Sequence, residues 1–177
     1  MHILDIAENS IRAQAVNIRI AIEENETADR LVLEIQDDGM GMDAETLNKV
    51  LDPFFSTKKT RRFGLGLSLL AEAARTANGD FHIDSTPGKG TTVKASFQAS
   101  HIDRQPLGDI PQTLITLVMG HPDIDFLYTH TTGQSSLNFD TKDIRIQLED
   151  IPLNHPEVIA LLKKTIQNEF NRLRREQ

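Results

Sequence analysis

The sequence predicts an α+β fold, a two-layer sandwich of one mixed or antiparallel sheet with helices on one face, plus a carboxyl-terminal α/β region. Three observations carry this. Residues 16–22 and 31–37 alternate apolar and polar side chains with the period of a half-buried strand. Residues 2–15 and 65–77 carry apolar residues at helical spacing. Glycine pairs stand where a strand gives way to a turn and where a turn gives way to a helix, at Gly39 with Gly41 and at Gly64 with Gly66.

The first helix, over residues 2–15, presents Ile3, Ile6 or Ala7, Ser10 or Ile11, and Ala13 or Ala15 on its apolar face. Asp5 and Asn9 stand one turn apart on the same side, and Glu8 and Arg12 ride on the same helix. A carboxylate and a carboxamide so placed can hold a metal ion and a water between them; taken alone, they also fit an exposed polar stripe. The strand over 16–22 buries Val16, Ile18, Ile20 and Ile22, and the strand over 31–37 buries Leu31, Leu33 and Ile35. The two form an antiparallel pair with Asp37 at its rim. Asp43 can cap a short helix over residues 44–51, which Pro53 ends. Phe54-Phe55 follows, and residues 58–62 hold four positive side chains in five, a short lid beside phosphates or an ordinary solvated loop.

The helix over 65–77 carries Leu65, Leu69 and Ala73 beside Leu70, Ala74 and Ala77, and ends near Asn78-Gly79. Strands over 81–85 and 92–97 flank the turn 86–90. Residues 1–98 thus form one unit, and a weak boundary falls at 99–106. Beyond it the pattern predicts a helix over 112–119 capped near Asp109, a hairpin of strands 124–130 and 136–140, and a further strand over 143–148, where Ile144, Ile146 and Leu148 alternate. A closing helix runs from about Pro156 with Val158, Leu162, Ile166 and Phe170 on its stripe. Residues 99–177 read as an accessory unit for docking or dimerisation, or as the completion of the first core.

The 177 residues carry a net charge of −7, which argues against general affinity for nucleic acid or an anionic membrane. No cysteine is present, so disulfides, thiolate catalysis and a cysteine zinc cluster are excluded. No segment reaches the roughly 20 apolar residues needed to cross a membrane, and the amino terminus is acidic where a leader would be basic, so a cytoplasmic location is expected.

Chemistry concentrates between residues 37 and 68. Asp37-Asp38-Gly39-Met40-Gly41 turns sharply after a strand, and Arg62-Phe63-Gly64-Leu65-Gly66-Leu67-Ser68 opens a helix whose free N–H groups can receive an anion. This is a nucleotide site, although the phosphate-loop motif G-x-x-x-x-G-K-[ST] is absent and Pro87-Gly88-Lys89-Gly90-Thr91-Thr92 only imitates its tail.

With these stretches in order, the chain resembles the superfamily of ATP-binding domains shared by sensor histidine kinases, type II topoisomerases, Hsp90 chaperones and MutL proteins. Residues 5–13 are similar to its N box, with a MutL-like pattern, residues 37–41 to its D-x-G-x-G box, residues 52–58 to its F box and residues 62–68 to its second glycine box; residues 85–92 match the histidine-kinase ending. The resemblance covers residues 1–98. It implies that Asn9 ligates Mg²⁺, that Asp37 accepts from the adenine amino group, and that Gly39 and Gly41 pass close to the base. It further implies that Lys58, Arg62, Gly64, Leu65, Gly66 and Leu67 meet the phosphates of ATP and that Thr92 supports the adenine end.

Two departures from the family pattern bear on the reaction. ATP-hydrolysing relatives place a glutamate four residues before the metal-binding asparagine; here that position is Asp5, one methylene shorter, with Glu8 as a fallback base, and slow hydrolysis is expected. With the helix bearing Asn9 read as starting at the initiator methionine, no phosphoacceptor segment is expected ahead of it, and His2, His82, His101, His121, His130 and His155 are scattered. Two functions are expected from this pattern. One is transfer of the γ-phosphate to a partner protein by a stand-alone kinase-like protein without its own phosphoacceptor domain. The other is a slow ATPase or ATP-dependent conformational switch acting on a partner or a homodimer.

Overall fold

The computed structural model describes residues 3–50, 66–133 and 135–175. In chain order the elements are α1 (Ile3–Arg12), β1 (Asn17–Asn25), β2 (Arg30–Asp37), α2 (Ala44–Val50), α3 (Gly66–Thr76), β3 (Phe81–Thr86), β4 (Gly90–Gln98), α4 (Ile110–Gly120), β5 (Asp125–Thr132), β6 (Ser135–Asp140), α5 (Thr141–Leu148) and α6 (Pro156–Arg175). The six strands make one sheet in the order β3-β4-β2-β1-β5-β6. Strands β1 and β5 are parallel and every other neighbouring pair is antiparallel, so the sheet is mixed. Helices cover one face, with α3 beside α1, α1 beside α4, and α4 beside α6. None of the described helices is long and apolar enough to cross a membrane.

Register follows from burial. The side chains of Ile18, Ile20 and Ile22 on β1 and of Leu31, Leu33 and Ile35 on β2 are each no more than 2% exposed. At about 1.5–3 kcal/mol per buried side chain, slipping β1 by one residue would turn three isoleucines outward and cost about 5 kcal/mol or more. That pins the rows across the sheet. One row on the helix-covered face runs Ser85, Thr91, Asp37, Ile18, Phe126. The next runs Ile83, Val93, Ile35, Ile20, Tyr128, Phe139. Polar side chains thus gather in the rim row, an apolar row stands behind it, and the buried His130 follows one row further on, between Ile22 and Leu137.

Helix α1 buries Ile3, Ile6, Ala7 and Ser10 and stops short of the expected residue 15, because Gln14 adopts a left-handed φ of 63°. Helix α3 buries Leu67, Leu70, Ala71 and Ala74, whereas Leu69, expected on an apolar stripe, faces solvent. It closes at Asn78, whose φ is 51°, with Gly79 N–H donating to the Ala74 carbonyl.

The strand expected over 143–148 is instead helix α5. Asp140 caps it by accepting from Lys142 N–H at 2.8 Å, and Thr141 Oγ1 takes the Phe126 N–H at 2.7 Å, which ends the ladder there. Ile144 and Leu148, one helical turn apart, pack on the core, while Ile146 is 71% exposed. An i, i+2, i+4 alternation contains an i, i+4 pair, and the cap decides which periodicity is used.

The sheet and the apolar core run without interruption past residues 99–106. Strand β5 pairs with β1 over eight residues, and Ile110, Leu114, Tyr128, Ile166 and Phe170 share one cluster with Ile6, Ile20 and Leu33. Within it, the Tyr128 hydroxyl meets His130 Nδ1 at 2.9 Å and His130 Nε2 meets Glu24 Oε1 at 2.7 Å, beneath the ring of Phe170.

Candidate functional site

Strand β2 ends at the rim with Asp37, whose side chain is drawn inward among hydrogen-bond donors. Its Oδ2 accepts from Ser10 Oγ on α1 at 2.6 Å, and its Oδ1 accepts from Gly39 N–H at 2.9 Å and Thr91 N–H at 3.2 Å. Each carboxylate oxygen has two lone pairs, so Oδ1 is saturated and Oδ2 keeps one open position. A donor delivered to Asp37 is received there. Ser10 has one hydroxyl hydrogen; the Ile6 carbonyl at 3.4 Å is the weaker acceptor, so the hydrogen goes to Asp37.

Asp38 points to the other side of the chain. Its Oδ1 accepts from the N–H groups of Val16 and Asn17 at 2.8 and 2.9 Å, and its Oδ2 from Asn17 Nδ2 at 2.7 Å. Burial works to raise this carboxyl, but the bonds from Asn17 and Val16 prevail and hold it below its ordinary value. Between them the two aspartates fasten the turn to α1, β1 and β4. Met40 completes the fastening, its N–H donating to the Ala13 carbonyl at 2.8 Å and its carbonyl accepting from Gly88 N–H at 2.8 Å. Gly41 is required by this turn: its φ is +64°, and a Cβ there would stand 2.0 Å from the Thr86 carbonyl oxygen. Its freedom therefore serves the contact with the 86–90 turn, whereas Gly39 delivers an N–H to Asp37.

The second part of the site lies where α1 meets α3. A Cβ on Gly66 would stand 2.8 Å from the Cβ of Asp5, so only glycine allows the first residue of α3 to rest on Asp5. This puts a carboxylate beside a helix amino terminus, whose first N–H groups have no helical acceptor. Asn9, one turn along from Asp5, accepts at Oδ1 from Arg12 Nη1 at 3.1 Å. Its Nδ2 is buried with no partner among the described residues. That orphaned donor suits a phosphate oxygen, and the second lone pair of Oδ1 suits a hard cation, so the residues present fit Mg²⁺ accompanied by a phosphate chain. Among the described residues no three His, Cys, Asp or Glu side chains converge on a metal-sized gap.

The structure thus gathers Asp5, Asn9 and Gly66 at one end and Asp37, Gly39 and Gly41 at the other. Leu67 has its side chain in the core and offers only its backbone. Glu8 turns away onto α4, where its Oε1 meets His121 Nε2 at 3.2 Å. Thr92 pairs with Gln36, in alternation with the core residues Val93 and Ala95, and so lies on the open face. Its neighbour Thr91 occupies the row of Asp37, with its Oγ1 2.9 Å from Ser85 Oγ. Lys58, Arg62, Gly64 and Leu65, with Phe54-Phe55 and the rest of residues 51–65, lie outside the described residues. Sequence reasoning missed Ser10 and Thr91 as parts of the site. The signal for Ser10 was a hydroxyl on an otherwise apolar helix stripe, and the signal for Thr91 was its parity with Val93.

Comparison with known proteins gives a consistent picture. The family described as histidine kinase-, DNA gyrase B-, and HSP90-like ATPase matches residues 2–101. The sensor histidine kinase YxdK of Bacillus subtilis is 40% identical over 73 residues, which is 39% of this chain and 22% of that protein. The sensor kinase CckA of Brucella abortus is 39% identical over 85 residues, 48% of this chain and 9% of that protein. Sporulation kinase C of Bacillus subtilis is 33% identical over 91 residues, 51% of this chain and 21% of that protein. The chain therefore spans less than a quarter of the length of these curated relatives. Among solved structures, the Aquifex aeolicus MutL ATPase domain complexed with ADP matches with a TM-score of 0.52 at 14% identity, covering 83% of this chain and 65% of that one, a likeness of fold.

Proposed function

Because the chain belongs to the histidine kinase-, DNA gyrase B- and HSP90-like ATPases, we propose that it binds Mg-ATP and passes the γ-phosphate to a partner protein. The observation that carries nucleotide binding is the single open position on Oδ2 of Asp37, whose buried carboxylate is held by three donors, one on Oδ2 and two on Oδ1, and which matches the 6-amino group of adenine. Thr91 lines the same row, and Gly66 and Asn9 offer N–H donors to the phosphates at the α1–α3 contact. Asn9 Oδ1 would hold Mg²⁺, whose chemistry when bound would be to offset the negative charge of the phosphates. In transfer, the bond from the γ-phosphorus to the β-bridging oxygen breaks and a bond to a partner's hydroxyl oxygen or imidazole nitrogen forms. Asp5, beside the α3 amino terminus, is the carboxylate placed to take the proton of that nucleophile. The sensor kinases to which the chain is similar support transfer to protein.

A second reading, a slow ATPase or ATP-dependent switch acting on a partner or a homodimer, is favoured by one contact. Glu8 stands next to Asn9 and grips His121 at the end of α4, tying the candidate nucleotide helix to residues 99–177. The test follows [γ-³²P]ATP with Mg²⁺ and the purified chain, alone and with cell extract, with Asn9→Ala and Asp37→Asn as controls. Label on a second protein, lost in both variants, is the expected result. Label released only as free phosphate would replace the transfer reading with the switch.

A further inference from the structure

On the face of the sheet opposite the helices, a cleft of about 360 Å³ opens where β1, β2 and β5 reach the rim. Its floor is Arg19, which stands between Gln36 and Leu127 in the ladder. Lys89 from the turn before β4 and Lys142 from the first turn of α5 complete the lining cations. These three come from three separate elements, and none of their side chains makes an ion pair or hydrogen bond among the described residues.

Four carboxylates share the lining, and each already has a partner within the protein, Asp37 accepting from Ser10, Gly39 and Thr91. Asp38 accepts three hydrogen bonds from Val16 and Asn17, Asp125 pairs with Arg145 Nη2 at 3.0 Å, and Asp140 caps α5. An incoming group therefore meets three cationic donors that have no protein partner among the described residues, beside four carboxylates that do have one. The three cations have no partner of their own among the described residues, and a bound anion would supply one. An Arg guanidinium flanked by ammonium groups suits the oxygens of a phosphate, and Leu127 offers a small apolar seat for an organic body. The volume sits at the lower end of the roughly 300–1,000 Å³ of small-molecule sites, too small for an extended partner surface.

We propose that this cleft is a second binding site, for a small organic phosphate, with Arg19, Lys89 and Lys142 as its anion donors. Its three donors are not among the side chains assigned to ATP, although Asp37 also lines it, and it stands whether or not that assignment does. It nevertheless adjoins the other site: Asp37 and Asp38 are consecutive, one turned to each face.

The test titrates phenyl phosphate and inorganic phosphate into the ¹⁵N-labelled full chain at constant ionic strength, with chloride as the control anion, and follows backbone amide shifts. Saturable shifts at residues 17–19, 36–38, 127 and 142 are expected, with phenyl phosphate binding more tightly than inorganic phosphate. The double variant Arg19→Gln/Lys142→Gln, at two exposed positions, should weaken both ligands at least about tenfold without moving the thermal midpoint. Shifts that rise linearly and equally with chloride, shifts confined to residues 5–9 and 66–68, or an unchanged affinity in the double variant would overturn the proposal. Inorganic phosphate matching phenyl phosphate would remove the organic part of it and leave a site for the free anion.

Discussion

Replacing Asp37 by asparagine should change which purine the site accepts. Both Gly39 N–H and Thr91 N–H donate to Oδ1, so an asparagine at 37 must keep its carbonyl oxygen there; the reverse orientation would set an NH₂ group against two other donors. The amide nitrogen then takes the place of Oδ2. One of its hydrogens points to Ser10 Oγ, which can accept as well as donate, and the other points to the open position. There the 6-amino group of adenine would meet a donor. The loss combines a charge-assisted hydrogen bond, about 1.5–3 kcal/mol, with an unpaired buried donor, about 1–3 kcal/mol, so a total of about 3 kcal/mol or more is expected, at least ~150-fold in Kd. A purine with oxygen at position 6 presents an acceptor instead. Calorimetric titration of wild type and Asp37→Asn with Mg-ATP and Mg-ITP should show ATP preferred by the first and ITP by the second. The variant should keep its fold, with a thermal midpoint within about 6 °C of wild type, because all three internal bonds survive in neutral form. ATP affinity within threefold of wild type, or an unchanged preference for ATP over ITP, would refute Oδ2 as the acceptor for the base.

Further expectations follow from the same contacts. Ser10→Ala leaves the buried Oδ2 without its internal donor and should cost about 1.5–3 kcal/mol, lowering the calorimetric midpoint by roughly 3–12 °C; a shift under about 1 °C would show that the Ser10 bond contributes nothing. Thr91→Val, which takes the hydroxyl out of the row of Asp37 while Ser85 Oγ keeps the Met42 N–H and the Gly90 carbonyl, should weaken ATP about fivefold, while Thr92→Val on the open face stays within about twofold; equal effects would contradict the assigned faces. The hydrogen bond from His130 holds the Glu24 carboxyl below its model-peptide value of 4.5. A depressed carboxylate pKa contributes stability that is present above the unfolded value and lost as pH falls through the folded one. Glu24→Gln should therefore cost stability at pH 7 and much less at pH 3, measured by urea unfolding; equal losses at both would show that ionisation of Glu24 is irrelevant.

What could be read from the residues alone was local. The alternation of Ile18, Ile20 and Ile22 and of Leu31, Leu33 and Ile35 fixed which side of each strand is buried, and with it the inward turn of Asp37. The glycines around Asp37 marked the turn because one of them has a backbone conformation that other residues resist. What escaped the reading was set by partners far along the chain. Ser10 and Asp37 lie 27 residues apart, and neither has a pattern that names the other. Thr91 and Thr92 are chemically identical, and only the pleat separates them. The stretch 143–148 satisfied two periodicities, and the cap from Asp140 selected the helix. No local pattern announces a parallel pairing, so the place of β5 beside β1 came only with the fold.

That pairing governs how the protein can be assembled. Strand β1 acquires one neighbour through a short hairpin and the other from about a hundred residues further on. A chain being synthesised therefore holds β1, β2, β3 and β4, with Asp37 and Thr91 already adjacent, while an eight-residue ladder along β1 still lacks its mate. Open ladders of this kind pair with whatever strand is nearest, and closing a loop of about a hundred residues is slow beside hairpin formation. A fragment ending near residue 98 is expected to expose that edge permanently and to self-associate. In the full chain, the last third acts as the stopper that ends this vulnerable interval, and ATP bound to the strands already in place would shorten it by favouring the arrangement onto which β5 docks.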